Sequence, residues 1–221
     1  MSAGRRRQLK MGNKIKEDSK RYFYPNEFDA MYKYLNRNGK FSAMAQLQTG
    51  ARIAELRWFM EDPIFDEAED RSNMILKRTK VRAKLGEKRS KPRILPLSKD
   101  YIKKLKRDIK KCRILSTNAM NIQLKKACEK ANIFSIQETK HELIRSPEQF
   151  SSHNLRKTFV TWMFSLGVSP AKIAAHVGNS VPVLMDSYAT NDNFSFKDKK
   201  RMIEIWQELP KSFFPDMRLF Q

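Results

Sequence analysis

Apolar side chains recur every three or four positions through much of the chain, which is the spacing of one face of a helix. The first set follows Pro25 and consists of Phe28, Met31, Tyr32 and Leu35. It predicts a helix that begins at Pro25, where a proline is tolerated, and ends at Gly39. A second helix is predicted over residues 40–60, with an interruption at Thr49 and Gly50.

The middle of the chain loses this spacing and favours strands. Residues 73–81 and 92–97 are two short strand-like stretches, and the basic residues between them include Gly86. Two such stretches around a turn predict an antiparallel β-hairpin. Residues 61–73 are acidic and loop-like, and residues 134–150 are predicted to be irregular.

Helical spacing returns after the hairpin. The remaining predicted helices cover residues 99–113, residues 117–131, His153 to Gly167, Ser169 to Gly178, a short helix from Pro182 that carries Tyr188, and residues 196–208. These elements predict a mainly α domain with a small antiparallel β-sheet, an α+β fold. We expect a basic N-terminal arm over residues 1–21, one domain over residues 22–208 and an apolar tail over residues 209–221.

Charge narrows the class of partner. The chain has 221 residues and a formal net charge of +21, so a folded domain of this sequence has a strongly basic surface. Nucleic acid is the commonest polyanion that such a surface binds, with a membrane surface and ribosomal RNA as alternatives. Eight basic side chains lie in one predicted helix: Lys99, Lys103, Lys104, Lys106, Arg107, Lys110, Lys111 and Arg113. Phosphate contact is the use that this overall charge favours for them.

The lengths of the apolar runs and the number of cysteines indicate the compartment in which the chain works. No apolar run approaches the roughly 18 residues that a membrane-spanning helix requires, so we expect no membrane segment. The two cysteines, Cys112 and Cys128, have no metal-ligand spacing and form a poor disulfide framework. A reducing intracellular compartment is therefore expected.

Several kinds of chemistry lack their motifs in this sequence. It contains no glycine-rich phosphate loop and no cluster of cysteine and histidine. One acidic stretch could supply metal-binding carboxylates, and a solvated loop is the better interpretation of its residues: Glu61, Asp62, Asp66, Glu67, Glu69 and Asp70. We therefore predict no cofactor and no metal site.

Attack on a phosphodiester without a metal needs three kinds of group. Paired guanidinium groups hold the negative charge on the phosphate, a nucleophile forms a covalent bond to phosphorus, and a general acid protonates the leaving oxygen. The sequence holds T-G-A-R-I-A-E-L at residues 49–56, H-N-L-R at residues 153–156 and A-H-V-G-N-S at residues 175–180. Tyr188 follows Asn179 by nine residues.

These motifs, in this order, resemble those of the tyrosine recombinase (phage integrase) family over roughly residues 23–190. That family has an arginine in T-G-x-R-x-x-E-L, a lysine in a β-hairpin, an H-x-x-R pair, a G-H-S motif and a tyrosine nine residues further on. The resemblance implies that Arg52 and Arg156 clamp the scissile phosphate. It also implies that His153 hydrogen-bonds that phosphate and helps to accept the tyrosine proton.

The same resemblance assigns the remaining roles. Glu55 would support the site, and Tyr188 would attack phosphorus to leave a 3′-phosphotyrosyl bond and a free 5′-hydroxyl. The hairpin lysine has three candidates. Lys80 lies near the end of the first predicted strand, as the family's lysine often does, and it is favoured because this hairpin looks longer than the shortest versions. Lys84 is second, and counting back from Pro96 and Leu97 with a short turn selects Lys88 instead.

One position departs from the family pattern. Asn179 stands where the G-H-S motif has histidine, and an asparagine amide can donate a hydrogen bond but cannot carry charge or shuttle a proton. His176 lies three residues earlier, and we expect it to support the site rather than replace the missing histidine.

The resemblance implies a site-specific recombinase or integrase that binds double-stranded DNA as a homo-oligomer, a tetramer, in a prokaryotic host or its virus. Most relatives have an N-terminal DNA-clamping domain, so we expect either an excised catalytic domain or a short member that uses its basic arm. The apolar tail either folds back or docks on a neighbouring subunit. DNA contacts are predicted from Lys84, Lys88, Arg89, Lys91, Lys103, Lys104 and Arg107.

Two other functions stay open at this stage. A type IB topoisomerase-like enzyme would use the same chemistry without ordered strand exchange. The other alternative is a DNA-binding module that has lost its catalytic activity, and Asn179 is the main argument for it.

Overall fold

The structure of the chain, a computed structural model, describes seven segments, with backbone alone for residues 135–138, 143–146, 187 and 188. They are residues 22–69, 72–77, 92–133, 135–138, 143–146, 150–188 and 194–206. The predicted arm, the predicted tail and most of the hairpin turn lie outside them. The same is true of five predicted site residues: Lys80, Lys84, Lys88, Arg89 and Lys91.

Helices dominate the described residues. They are α1 (Pro25–Lys33), α2 (Arg37–Thr49), α3 (Ile53–Glu61), α4 (Lys99–Asp108), α5 (Thr117–Lys130), α6 (Ser152–Ser165), α7 (Pro170–Val177), α8 (Val181–Tyr188) and α9 (Phe196–Ile205). Side-chain oxygens fix the start of several of them. For example, Ser98 accepts a hydrogen bond from the Tyr101 amide at the start of α4, and Ser169 accepts one from the Lys172 amide at α7.

The strands form two small antiparallel sheets. β1 (Ile64–Glu67), β2 (Ser72–Leu76) and β3 (Arg93–Pro96) make a three-stranded sheet in the order β1-β2-β3. β4 (Ser135–Glu138) and β5 (Leu143–Ser146) make a two-stranded sheet. The predicted fold class, mainly α with a small antiparallel sheet, is confirmed.

Two predictions about irregular structure were wrong. Residues 61–73 contain β1, and residues 134–150 contain β4 and β5. β1 forms because its backbone pairs with β2, in a register that places Phe65 opposite Met74. Its acidic Glu67 is neutralised by an ion pair with Lys106 of α4, so the charge that suggested a loop is compatible with a strand.

The first helices also differ from prediction. Gly39 does not end α1, because the Asn36 side chain accepts a hydrogen bond from the Gly39 amide and so starts α2 at Arg37. The predicted helix over residues 40–60 is two helices, which separate at the expected interruption after Thr49.

Helix α6 forms the centre of the core. Its Trp162 is fully buried, makes edge-to-face contact with Phe28 and Trp206, and donates from Nε1 to the carbonyl of Phe23 at 2.8 Å. Buried aromatic side chains of this size typically contribute about 3–5 kcal/mol each, judged by truncation to alanine. A helix held this firmly gives the residues of its first turn a fixed position. Among the described residues, no helix is both long and apolar enough to cross a bilayer.

Candidate active site

The chain reverses direction at Gly50, between α2 and α3. Gly50 has a left-handed backbone with φ of 60°, and a Cβ there would lie 2.5 Å from Cδ1 of the buried Phe159. Only glycine satisfies both conditions without strain. The turn places Arg52 at the first position before α3, with its side chain partly exposed.

Arg52 is held in place by Glu55, one turn further along. The Arg52 amide donates to Glu55 Oε2 at 2.9 Å, and Arg52 Nη1 donates to Glu55 Oε1 at 2.8 Å. The Arg52 side chain is 31% exposed, whereas the Glu55 side chain is fully buried. A fixed, half-exposed guanidinium is well suited to bind an anion that approaches from solvent.

Arg156 joins three separate segments beneath the surface. It lies in the first half of α6, is 1% exposed, and donates from Nη1 to the carbonyl of Gly50 at 2.7 Å. Its Nη2 donates to the carbonyl of Val177 at 2.6 Å and, at 3.4 Å, to Oδ1 of Asn179. The structure therefore brings the motifs of Arg52, Arg156 and Asn179 into one cluster.

Arg93, the first residue of β3, is a member of this cluster that the sequence analysis missed. It is 8% exposed, donates from Nη2 to Glu55 Oε2 at 2.8 Å, and donates from Nη1 to the Val177 carbonyl at 2.8 Å. Val177 thus accepts from both Arg93 and Arg156. In the sequence Arg93 is one of several basic residues around the hairpin, and only its alternation with Leu95 and Leu97 on the buried face distinguished it.

The charges in this cluster control its protonation. Burial raises the pKa of Glu55, but Arg93, the Arg52 amide, Arg156 and Arg52 outweigh burial and hold that pKa below its ordinary value. Burial lowers the pKa of Arg93, and Glu55 opposes this shift. The lowered pKa of Glu55 favours its carboxylate form, and the Arg93 guanidinium is the buried cation that pairs with it.

His153 lies beside the two predicted clamp residues. Its side chain reaches the surface in the first turn of α6, but the surrounding protein still desolvates part of the ring. This desolvation, together with the positive charges of Arg156, Lys157 and Arg52, lowers its pKa to about 4. The imidazole is therefore neutral at pH 7, so one ring nitrogen can accept a proton and the other can donate a hydrogen bond.

His176 has a different environment. It is 4% exposed, its Nε2 lies 2.9 Å from the carbonyl of Thr49, and its ring stacks on Phe159 with centroids 5.2 Å apart. Burial lowers its pKa to about 3, since the hydrogen bond to Thr49 only partly offsets desolvation. The side chain holds the last residue of α2 in place beneath the turn that leads to Arg52.

Tyr188 is the last residue of α8, and the structure describes its backbone alone. The helix begins two residues after Asn179, and it is anchored by Leu184, which is fully buried and whose amide donates to the Ser180 carbonyl at 3.0 Å. The fold therefore connects the tyrosine directly to the arginine cluster through one short helix.

Three predicted DNA-contact residues lie on α4, a different element from the cluster. Lys103 and Arg107 are exposed, while Lys104 is half-buried. Lys106 of the same helix is engaged by Glu67 and lies 5.0 Å from the ring centroid of Phe65. No group of three or more potential metal ligands occurs within the described segments.

Gly178 ends α7 next to Arg93, and replacing it should lower the stability of the fold. It has φ of 71°, and a Cβ there would lie 2.7 Å from Arg93 Nη1. Gly178→Ala should cost about 1–2 kcal/mol for the left-handed backbone and about 1–3 kcal/mol more for displacing Arg93. Gly167 also has a left-handed φ, of 80°, but open space around it, so Gly167→Ala should show the backbone cost alone. Urea unfolding measures both, and equal losses would contradict the contact with Arg93.

The chain combines a mainly helical fold with a buried arginine cluster assembled from motifs that are far apart in the sequence. It belongs to the phage integrase family, whose sequence model, described as "Phage integrase family", matches residues 21–193. Among curated proteins, no sequence match was found.

Two solved structures of XerH share this fold. The XerH site-specific recombinase bound to difH substrate, in a pre-cleavage complex, aligns with a TM-score of 0.51 at 14% identity, over 82% of this chain and 54% of that one. Its post-cleavage complex on palindromic difH substrate aligns with a TM-score of 0.51 at 15% identity, over 86% and 54%. XerA recombinase aligns with a TM-score of 0.49 at 18% identity, over 86% and 65%. The chain thus spans little more than half the length of the XerH chains.

Proposed function

We propose that this chain catalyses site-specific recombination or integration, cutting and rejoining duplex DNA through a covalent 3′-phosphotyrosyl intermediate. The observation that carries the proposal is the position of Arg156. Its guanidinium bonds the carbonyls of Gly50 and Val177, and so joins three motifs that are far apart in the sequence. We infer that this guanidinium acts on the phosphate together with the partly exposed Arg52.

The proposed reaction transfers the phosphoryl group of the DNA backbone from the 5′-oxygen to the oxygen of Tyr188. The Tyr188 oxygen bonds to phosphorus, the bond from phosphorus to the 5′-oxygen breaks, and that oxygen takes a proton from the hairpin lysine, for which Lys80 is the first candidate. Arg52 and Arg156 hold the negative charge that grows on the non-bridging oxygens, a task that guanidinium groups can perform without a metal. Reversal of the same steps rejoins the strand, because the phosphotyrosyl bond conserves the phosphodiester energy.

His153 has the protonation state that the first step requires. Its pKa of about 4 leaves a neutral imidazole at pH 7, next to Arg52 and Arg156. We assign it a hydrogen bond to the scissile phosphate and a part in accepting the proton that Tyr188 loses. Asn179, whose Oδ1 faces Arg156, would use its amide N–H groups to bond the same phosphate.

Double-stranded DNA is the proposed partner. The net charge of +21 favours a polyanion, and the XerH structures that share this fold are complexes with difH substrate. Phosphate contacts are assigned to Lys103, Lys104 and Arg107 on α4, and to the four basic residues predicted in the hairpin turn, Lys84, Lys88, Arg89 and Lys91. Assembly as a tetramer on DNA belongs to the same proposal.

A nicked suicide duplex tests the proposal directly. When the fragment beyond the nick diffuses away, the cleaved strand stays attached to the protein and runs as a slower band on a denaturing gel. We expect this band with and without EDTA. Joining of two different duplexes would support recombination, whereas relaxation of supercoiled DNA without joining would indicate a topoisomerase. Tight, salt-sensitive binding with no covalent band would indicate a DNA-binding module without catalysis.

Asn179→His supplies a second test of the site. The substitution restores the residue that the family motif has at this position, beside Arg156. We expect the cleavage rate to be preserved or to rise by up to about ten-fold, since a histidine can add a stronger hydrogen bond to the phosphate. Single-turnover cleavage of the suicide duplex measures it. A fall of more than about ten-fold would mean that the pocket is built around the smaller amide.

A further inference from the structure

Arg93 links strand β3 to the start of α3 and to the end of α7. Its two terminal nitrogens bond Glu55 at the start of α3 and the Val177 carbonyl at the end of α7, each at 2.8 Å. It also pairs with Leu76 in the last described register of β2 with β3. In the sequence, the residues between β2 and β3 include all the candidates for the general-acid lysine.

Glu55 depends on this arginine. Its carboxylate is fully buried, and it accepts from Arg52 and Arg93 on its two oxygens. The Arg52 side chain is partly exposed, whereas the Arg93 side chain is nearly inaccessible to water. Of these two ion pairs, solvent therefore screens the one between Arg93 and Glu55 less. Buried carboxylates without such a partner take up a proton instead.

We propose that Arg93 is a positioning residue for strand cleavage: it pairs with the buried Glu55 carboxylate, so that Glu55 holds Arg52 at the phosphate, and it ties β3 to the end of α7 through the Val177 carbonyl. The inference rests on the function proposed above. Arg93 acts through Glu55 and the Val177 carbonyl rather than on the phosphate, since its charge is paired with the buried Glu55 carboxylate and its other terminal nitrogen bonds the Val177 carbonyl.

The other charged groups around Glu55 determine how its pKa should respond when Arg93 is replaced. Arg52 and Arg156 still act on Glu55 in such a variant, and Glu55 also lines a small cavity together with Glu61, Asp62 and Lys77. In Arg93→Met the burial of Glu55 is opposed by fewer cations, so its pKa should rise toward the neutral range. A protonated Glu55 no longer fixes the Arg52 guanidinium as an ion pair.

The test compares single-turnover cleavage of the suicide duplex from about pH 6 to about pH 8 in the wild type and in Arg93→Met. The ratio of wild-type to variant rate should increase as pH falls, approaching about ten-fold per pH unit below the raised pKa. DNA affinity should change by less than about three-fold, because Arg93 makes no contact with phosphate. A ratio that does not vary with pH, or an equal loss of affinity, would overturn the inference.

Three further variants separate positioning from a general loss of structure. Arg93→Lys keeps the charge but cannot reach both acceptors, so it should be slower than the wild type by about ten-fold with a ratio independent of pH. Glu55→Gln combined with Arg93→Met should also lose the pH dependence of the ratio. Ile94→Thr changes the neighbouring, exposed position of β3 and should cleave like the wild type. If Arg93→Met does not fold, Arg93→Gln replaces it in the same comparison.

A measurement without DNA distinguishes failure of this inference from failure of the proposed function. Carboxyl carbon NMR titration should show a higher pKa for Glu55 in Arg93→Met than in the wild type. An unchanged Glu55 pKa would overturn the role of Arg93 even in an active enzyme. A wild-type protein that forms no adduct on any duplex would overturn the proposed function, while the titration would still decide whether Arg93 controls Glu55.

Discussion

Replacing Tyr188 by phenylalanine should abolish the covalent protein–DNA band while DNA affinity stays within about three-fold of the wild type. The substitution keeps the aromatic ring at the end of α8 and removes the single oxygen that forms the phosphotyrosyl bond. No second nucleophile is expected to replace it, because the proposed arginine clamp would orient the phosphate toward one position. The measurement is a denaturing gel of the suicide duplex after a long incubation.

A matched tyrosine provides the control for this experiment. Tyr34, next to the end of α1, is 52% exposed and has no part in the arginine cluster, so Tyr34→Phe should form the covalent band at the wild-type rate. Peptide mapping of the wild-type adduct should place the DNA on Tyr188. A covalent band of wild-type intensity from Tyr188→Phe would show that another residue is the nucleophile.

Arg52→Ala has the second-largest expected effect. Removing one group that stabilises charge in the transition state typically lowers the rate about 10²- to 10³-fold, whereas the loss of one phosphate contact should weaken DNA binding by less than about ten-fold. Stability should fall by only about 1 kcal/mol, because the side chain is partly exposed and Glu55 keeps its bond to Arg93.

Single-turnover cleavage and a DNA titration together measure the two effects of Arg52→Ala. The control is Arg57→Ala, which removes an exposed arginine from the same helix and should change cleavage by less than about three-fold. Equal losses of binding and cleavage in Arg52→Ala would show that Arg52 acts as an ordinary phosphate contact.

Arg156, the second arginine of the proposed clamp, is better tested with a conservative substitution than with alanine. Arg156 is nearly inaccessible and bonds two backbone carbonyls, so Arg156→Ala should lose roughly 3 kcal/mol of stability in addition to activity. Arg156→Lys keeps the charge and isolates the catalytic contribution better. This difference between Arg52 and Arg156 follows from their burial, which the sequence pattern does not contain.

The sequence by itself determined the elements that depend on local spacing. Apolar periodicity placed the cores of the main helices, and Thr49 and Gly50 predicted the break between α2 and α3, because glycine at a left-handed position is a local requirement. The sequence also shows the ordered motifs around Arg52 and Arg156, since each motif consists of neighbouring residues. The phosphate chemistry proposed above was suggested by these motifs.

Tertiary structure decided the features that depend on partners distant in the chain. β1 is a strand because β2 lies beside it and Lys106 neutralises Glu67, neither of which a local window can show. Arg93 resembled every other basic residue near the hairpin until folding buried it against Glu55 and Val177. The pKa of a buried group and the partner of a buried charge are set by whichever elements pack around them, and the order of residues along the chain does not specify that packing locally.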